Sequence, residues 1–158
     1  MAETYGDVIE KSLLVTRVRT IKNEEVAIPN GLVMGSHILN YSAAARGKGL
    51  LLHTSVTIGY NTPWRKVHAL LLEAARQTPR ILSEPVPFVW QKSLNDFFVT
   101  YELNAATDRP EVLDDTYAEL HKSIRDVFDA AGVEILSPHY TALRDGSRPT
   151  VAPEDKPG

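Results

Sequence analysis

The residue types that most often carry out chemistry are present in this chain but lie far apart. The histidines form no H-E-x-x-H motif and no pair four residues apart, so a metal ion or a general base would need partners supplied by the fold. The sequence therefore predicts neither a metal site nor histidine catalysis. The five histidines are His37, His53, His68, His121 and His139.

Two pairs of acids and one glycine fragment also suggest sites, but each has a simpler interpretation. Asp114-Asp115 falls in the first turn of a predicted helix, where the helix dipole favours acids without any metal. Asp126 and Asp129 lie on a solvated helical face. Gly47-Lys48-Gly49 lacks the spacing of a phosphate-binding loop, and no G-x-S-x-G elbow is present. With no cysteine in the chain, thiol nucleophiles and cysteine zinc sites are excluded. We therefore predict no enzyme and no cofactor.

Composition is typical of an ordinary globular protein. The chain has 158 residues, of which 43% are hydrophobic and 23% charged, which allows one domain or two small ones. No apolar run approaches the roughly 20 residues that span a bilayer. Residues 1–48 carry six bases and five acids, whereas residues 49–140 carry eight bases and twelve acids. Because the net charge is -3, a nucleic-acid partner is not favoured.

The first forty-odd residues are typical of short strands joined by tight turns. Val15–Thr20 alternates, Asn23-Glu24 is a turn candidate, and Pro29-Asn30-Gly31 must end the next strand. Ile38–Tyr41 could form a further strand, and no segment has a helical period. We predict a small Sm-like or SH3-like β-barrel over residues 1–46.

The region 49–140 shows a regular alternation of strands and helices. Strand patterns occupy residues 50–58, 86–94, 97–103 and 133–135, and the hairpin between the second and third turns at Asn95-Asp96. Thr62 is the expected cap of the first helix, with Pro63 at its first position. The second helix begins near Pro110, with Asp108 or Arg109 as its cap, and ends at Gly132.

This order is β-α-β-β-α-β, which predicts a ferredoxin-like domain and an α+β protein overall. Seven aromatic residues lie near these elements, and we expect most of them to pack in a core rather than to stack on bases. Residues 141–158 are predicted to be a flexible, Pro-rich tail. The aromatic residues are Tyr41, Tyr60, Trp64, Trp90, Phe97, Phe98 and Tyr101.

The N-terminal region resembles the β domain of small-conductance mechanosensitive channels, the MscS-type family. An I-P-N turn, a spacer and an I-x-N-x-S ending stand here in the family's order and spacing. Val56–Thr62 and Phe128–Ile135 resemble parts of the family's carboxyl-terminal α/β domain, whereas Ser137-Pro138-His139-Tyr140 departs from its aromatic-Pro-Gln ending. The motif residues are Gly6, Val8, Ile28, Pro29, Asn30, Gly31, Asn40 and Ser42.

The resemblance implies a vestibule on the cytoplasmic side of the inner (plasma) membrane. In this family seven copies form a cage below a pore that opens under membrane tension during hypo-osmotic shock. Ions and small solutes pass through side portals of the cage. The membrane helices should precede residue 1, so the chain itself would supply assembly and solute filtering. We expect Pro29-Asn30-Gly31 to fix a turn, and Asn40 and Ser42 to satisfy backbone groups near the domain junction.

Two other interpretations remain open at this point. The chain could be a free-standing RNA-binding or assembly module, since small barrels and ferredoxin-like sheets both serve that role. RNA binding would require a basic surface and would weaken with salt. The remaining alternative is an enzyme, for which the sequence offers no constellation of residues.

Overall fold

A computed structural model describes residues 4–47 and 49–136 of the chain. Over these residues it contains two antiparallel three-stranded sheets and four α-helices, which confirms the predicted α+β class. The predicted tail 141–158 and the segment Ser137-Pro138-His139-Tyr140 lie outside the described residues.

The first sheet has the strand order β1-β2-β3 and is antiparallel throughout. Val18 of the central strand stands in register with Val8 on one side and Val26 on the other. Asn23 turns the chain between β2 and β3 with φ 62°, in the left-handed region that Asn tolerates. The strands are β1 (Gly6–Lys11), β2 (Val15–Thr20) and β3 (Glu25–Pro29).

Two short helices follow this sheet, where the sequence predicted none. Asn30–Met34 forms α1 and Tyr41–Ala45 forms α2. The strand predicted at 38–41 was wrong, because residues 37–40 are irregular and the last of that segment already begins α2. Helices of five residues are too short to show a 3.6-residue period. Their signals are local instead, since the Asn40 side chain accepts the Ala43 N–H at 2.9 Å as a helix N-cap.

The second sheet has the order β4-β6-β5, so the third strand in sequence lies in the middle. Two helices connect and follow its strands in the order β-α-β-β-α, which gives five of the six predicted elements. The elements are β4 (Leu50–Gly59), α3 (Trp64–Gln77), β5 (Phe88–Leu94), β6 (Phe98–Thr107), a 3₁₀ turn (Pro110–Val112) and α4 (Leu113–Ala130).

The predicted closing strand does not form as a strand within the described residues. Residues 133–136 are irregular, although the Leu136 N–H donates to the Thr57 carbonyl at 2.8 Å. The chain therefore reaches the free edge of β4 with one ladder hydrogen bond. Val133 is buried in the core, so its apolar character reflects packing.

The helix ends follow sequence signals with small shifts. Pro63 occupies the N-cap position of α3, one residue later than predicted, and no side chain caps that end. Gly132 has φ +64° after α4, and the Val133 N–H donates to the Phe128 carbonyl at 3.0 Å, as in a Schellman motif. Lys66 Nζ of α3 donates to the Ala131 carbonyl at 3.2 Å, which joins the two helices where α4 ends.

Both long helices pack on one face of the second sheet and form the protein's main core. Alternate residues of β4 and β6 face the helices, and the apolar stripes of α3 and α4 cover them. This arrangement explains why period-two and period-3.6 patterns were both clear in this half of the chain. The largest fully buried apolar side chains are Leu52, Ile58, Val67, Leu71, Leu103, Leu120 and Phe128.

His68 of α3 lies between two aromatic rings at the margin of this core. Its ring centroid is 5.2 Å from Trp64 and 5.7 Å from Tyr101. Its Nε2 atom is buried without a hydrogen-bond partner among the described residues. Burial lowers the pKa of His68 below its usual value, because the charged ring would lose its hydration.

This environment predicts a stability that falls in acid. Because the pKa is lower in the folded state, the unfolded chain binds the proton first. Acidification from about pH 7.5 to about pH 5.5 should therefore reduce the free energy of unfolding. His68→Phe should make this loss smaller in urea melts at the two pH values, whereas His37→Gln at an exposed site should leave it unchanged. Equal losses in wild type and His68→Phe would contradict the prediction.

Candidate functional site

Four of the eight motif residues, Ile28 to Gly31, lie at one end of the first sheet. There the β1–β2 turn, the end of β3 and the start of α1 meet around the side chain of Asn30. We call Asn30 and its hydrogen-bond partners the Asn30 clasp. Ile28 and Pro29 are the last residues of β3, and Gly31 is the second residue of α1.

The Asn30 clasp ties three parts of the chain together. Asn30 Nδ2 donates to the carbonyl oxygens of Ser12 and Leu13, each at 2.9 Å. Its Oδ1 accepts the hydroxyl of Thr16 at 2.8 Å, and its backbone N–H donates to Leu14 O at 2.8 Å. Only a carboxamide offers two N–H donors and an acceptor on one short side chain. This explains why asparagine stands at this position.

The neighbours of Asn30 in the motif have narrower roles. Pro29 stands opposite Val15 at the end of the β2–β3 ladder and precedes α1 with φ -56° and ψ 133°. Ile28 stands opposite Thr16, whose hydroxyl enters the clasp. A Cβ added at Gly31 would lie in open space, so no close contact requires a glycine at this position.

Gly6, at the start of β1, is the glycine that the sheet requires. A Cβ added there would overlap the carbonyl oxygen of Arg19 on β2 and lie 3.0 Å from the Thr20 Cα. The two strands could not approach this closely with a side chain between them. Val8 lies two residues further along β1, and most of its side chain is exposed.

Asn40 and Ser42 lie apart from the clasp, at the junction between the two sheets. Asn40 caps α2, and Ser42 is an exposed residue of that helix. The Tyr41 ring lies edge-on to Tyr5, with centroids 5.7 Å apart. Burial, and then the charge of Asp114 on α4, raise the pKa of Tyr5. Tyr5, the residue before β1, therefore contacts the start of α2.

An open cleft of about 600 Å³ lies at the same junction. Gly49 has φ +86° on its wall, where an added Cβ would lie 3.0 Å from Leu82 and 3.2 Å from Ala106. Its acidic lining residues are Glu84 and Asp108. Within residues 4–47 and 49–136, no three His, Cys, Asp or Glu residues are grouped to hold a metal ion.

The structure does not gather the described histidines into a site. His121 Nε2 lies 2.9 Å from Thr54 Oγ1, and the His53 N–H donates to the Tyr117 hydroxyl at 3.3 Å. Both contacts join α4 to β4. His139 lies outside the described residues.

The aromatic residues correct an expectation, and the clasp adds three residues that were missed. Tyr101 is buried, but four of the seven expected mostly in a core are exposed, so core packing was the wrong interpretation for them. They are Tyr60, Trp64, Trp90 and Phe97. Ser12, Leu13 and Leu14 were missed in the clasp, because they contribute only backbone carbonyls, which their residue types do not signal.

Comparison with known protein families covers both halves of the chain. Residues 52–135 match the family described as "Mechanosensitive ion channel MscS, C-terminal", and residues 1–43 match "Mechanosensitive ion channel, beta-domain". The chain belongs to the MscS-type mechanosensitive ion-channel family. Across the described residues, no helix has the length and apolar character needed to cross a membrane.

Two curated relatives are channels by name. The chain is 25% identical over 143 residues to the large-conductance mechanosensitive channel MscMJLR of Methanocaldococcus jannaschii, covering 86% of this chain and 39% of that protein. It is 28% identical over 98 residues to the mechanosensitive channel MscK of Escherichia coli K12, covering 62% of this chain and 9% of that protein. The MscS-type chain thus spans well under half the length of these relatives.

Solved structures support the fold. The closed-state crystal structure of Helicobacter pylori MscS has a TM-score of 0.70 at 17% identity, covering 87% of this chain and 53% of that one. The cryo-EM structure of wild-type Arabidopsis thaliana MSL1 has a TM-score of 0.62 at 18% identity, covering 84% and 47%. At these identities the likeness is evidence for the fold alone.

The Asn30 clasp predicts a specific loss on substitution. Asn30→Ala should lower the free energy of unfolding by about 1–2 kcal/mol, because the Thr16 hydroxyl loses its acceptor and the carbonyls of Ser12 and Leu13 lose their donor. Asn30→Asp keeps the acceptor but turns an oxygen toward those carbonyls, so it should not rescue. Amide hydrogen exchange in the β1–β2 turn measures the effect directly. Ser42→Ala is the control, and unchanged exchange in Asn30→Ala would refute the role.

The two motif glycines should respond in opposite ways. Gly6→Ala should destabilise the first sheet by about 1–3 kcal/mol, because the new methyl group overlaps the Arg19 carbonyl. Gly31→Ala should change stability by no more than about 0.5–1 kcal/mol, with alanine favoured in the helix. Thermal melts of both variants provide the comparison. Equal destabilisation would show that the packing at these positions is misjudged.

Proposed function

We propose that this chain forms the vestibule of a mechanosensitive ion channel, on the cytoplasmic side of the membrane. In this role it supplies assembly and solute filtering to a pore that opens under tension in hypo-osmotic shock. The observation that carries the proposal is the tandem match of the channel family's β domain and C-terminal domain in one chain. The pore helices would belong to the same full-length protein.

We further propose two domains, one over residues 1–46 and one over residues 49–140. The β4-β6-β5 order with two helices on one face supports a ferredoxin-like second domain. The hydrogen bond from Leu136 to Thr57 supports a fourth strand of this sheet, beside β4. For the first domain we propose an Sm-like barrel, in which further pairing would close the three strands seen here.

The first sheet suits a homo-oligomer, for which we propose the heptamer that the family resemblance implies. Among its described residues only Thr16 and Val18 are buried, which is too little interior for a stable isolated domain. Many large apolar side chains of this sheet, its turns and the segment that follows it are exposed, and contacts with neighbouring copies and membrane helices would cover them. These are Val8, Ile9, Leu13, Leu14, Ile21, Leu32, Met34, Ile38 and Leu39.

Filtering would depend on charge and portal size. Residues 49–136 hold eight bases and twelve acids, so a cage of several copies would concentrate cations near the pore. The partners proposed for this role are ions, small solutes, further copies of this chain and the membrane helices of the full-length protein.

RNA binding is the second candidate, and one observation favours it. Phe88 and Trp90 are exposed on the second sheet with ring centroids 5.1 Å apart, and Lys92 Nζ lies 5.7 Å from the Trp90 ring. Bases stack on such pairs in some sheets of this kind. The acidic balance of this half opposes a phosphate backbone, so the channel role is better supported.

A chimeric channel tests the proposed function. The membrane part of Helicobacter pylori MscS, joined to this chain in place of its own matching region, should give tension-activated currents in membrane patches. Bacteria lacking their own such channels should then survive osmotic downshock. A chimera carrying Asn30→Ala should give fewer open channels at equal expression. Silent patches from a chimera that reaches the membrane and assembles would count against the proposal.

A further inference from the structure

The second sheet leaves one face without a covering layer among the described residues. Since α3 and α4 both pack on the other face, the side chains of alternate positions point away from the core. The register places Leu51 beside Ala106, Phe88 beside Asn104 and Trp90 beside Glu102 on this open face. We call Leu51, Phe88 and Trp90 the aromatic corner.

The polar residues beside the aromatic corner, Glu102 and Asn104, already have ionic or hydrogen-bond partners. Asn104 is only 2% exposed and Glu102 9%. Lys92 Nζ lies 3.3 Å from the Glu102 carboxylate, and Asn104 Nδ2 donates to the Glu102 backbone carbonyl at 3.4 Å. The charges of Lys92 and Glu102 therefore cancel locally, and the exposed apolar side chains of the aromatic corner stand beside the exposed polar residues His53 and Ser55.

The edge of β5 is not suited to pairing with another strand. The register shifts between Gln91 and Ser93, and Lys92 stands at this bulge. Bulges and lysines at sheet edges oppose strand addition. A partner would therefore contact the face of the sheet at the aromatic corner, through side chains.

A second apolar surface lies at the other end of β5. Leu94 and Phe97 flank the β5–β6 turn and are 73% and 53% exposed. Tyr60, also exposed, donates its hydroxyl to the Asn95 carbonyl at 2.7 Å, which holds its ring against the same turn. We call Tyr60, Leu94 and Phe97 the turn patch. Leu94 stands in register with Val99 on the helix-covered side, so the two surfaces differ in face as well as in end.

We propose that the aromatic corner of one copy packs against the turn patch of a second copy. Two different patches on one chain allow a head-to-tail contact, which is the kind that closes into rings. Each patch exposes roughly 300–400 Å² of side-chain surface, which would supply most of the roughly 450 Å² that is apolar in a standard interface of about 800 Å² per partner. This inference rests on the proposed assembly and names the surfaces that form it.

Complementation between two variants tests the contact. Phe88→Ser with Trp90→Ser removes the corner, and Leu94→Ser with Phe97→Ser removes the turn patch. Both pairs are surface changes, so circular dichroism should show native folding. Sedimentation velocity of the wild-type chain should show association that grows with concentration. Each double variant alone should associate more weakly than the wild-type chain. Their equimolar mixture should associate more strongly than either variant, because one intact corner then meets one intact turn patch.

The two tryptophans provide an independent readout. With Trp64→Phe, Trp90 becomes the only tryptophan, and its emission should shift to the blue as the chain associates. Ile135→Ser, at an exposed apolar residue outside both patches, should associate like wild type.

Several results would overturn the proposal. A monomeric wild-type chain would do so, as would a corner variant that associates normally. If the variant with Leu94→Ser and Phe97→Ser forms dimers by itself, and mixing the two double variants adds nothing, the contact is instead a two-fold one between two aromatic corners. Tight, salt-sensitive binding of single-stranded RNA that the corner variant loses would assign the corner to RNA. Working channel chimeras that carry either double variant would reject these surfaces while leaving the channel role intact.

Discussion

The first sheet depends on the side chain of Asn30, because it has almost no apolar interior to hold it. Its buried residues are Thr16 and Val18, and the hydroxyl of Thr16 is itself bonded to the Asn30 carboxamide. The same carboxamide fixes the β1–β2 turn through two carbonyls. A sheet stabilised by directed hydrogen bonds keeps its shape at that end, but the net free energy of each such bond is small. The remaining stability must come from contacts along its exposed apolar surface.

The second sheet is stabilised in the opposite way. Its interior is filled by side chains from β4, β6, α3 and α4, and its polar contacts lie at the margins. His121 and Tyr117 join α4 to β4, and Lys66 joins α3 to the end of α4. Because this half buries a core of its own, it can support a junction to a half that does not. The contact of Tyr5 with Tyr41 places that junction at the start of α2.

What the sequence predicted well was what repeats. The stripes of α3 and α4 and the alternation in β4 extend over ten or more residues, so local pattern and tertiary packing agree. The helices α1 and α2 were missed because five residues cannot show a period. The I-P-N motif was visible as the end of a strand, but the turn expected at Pro29-Asn30-Gly31 is the start of α1. The hydrogen bonds of Asn30 could not be predicted, because Ser12 and Leu13 lie 18 and 17 residues away. Trp90 was misjudged because strand alternation does not show which face the helices cover.

The aromatic corner and the turn patch both follow from the topology of the second sheet. Placing both helices on one face of β4-β6-β5 buries that face and leaves Phe88 and Trp90 outside, while the short turn at Asn95 leaves Leu94 and Phe97 uncovered. Large exposed apolar patches are rare on monomers, whereas aromatic residues are enriched at interfaces between chains. The weak interior of the first sheet points the same way. In both halves, then, the apolar surface that the fold leaves exposed is what contact with other copies would bury, so folding and assembly would share their stabilising free energy.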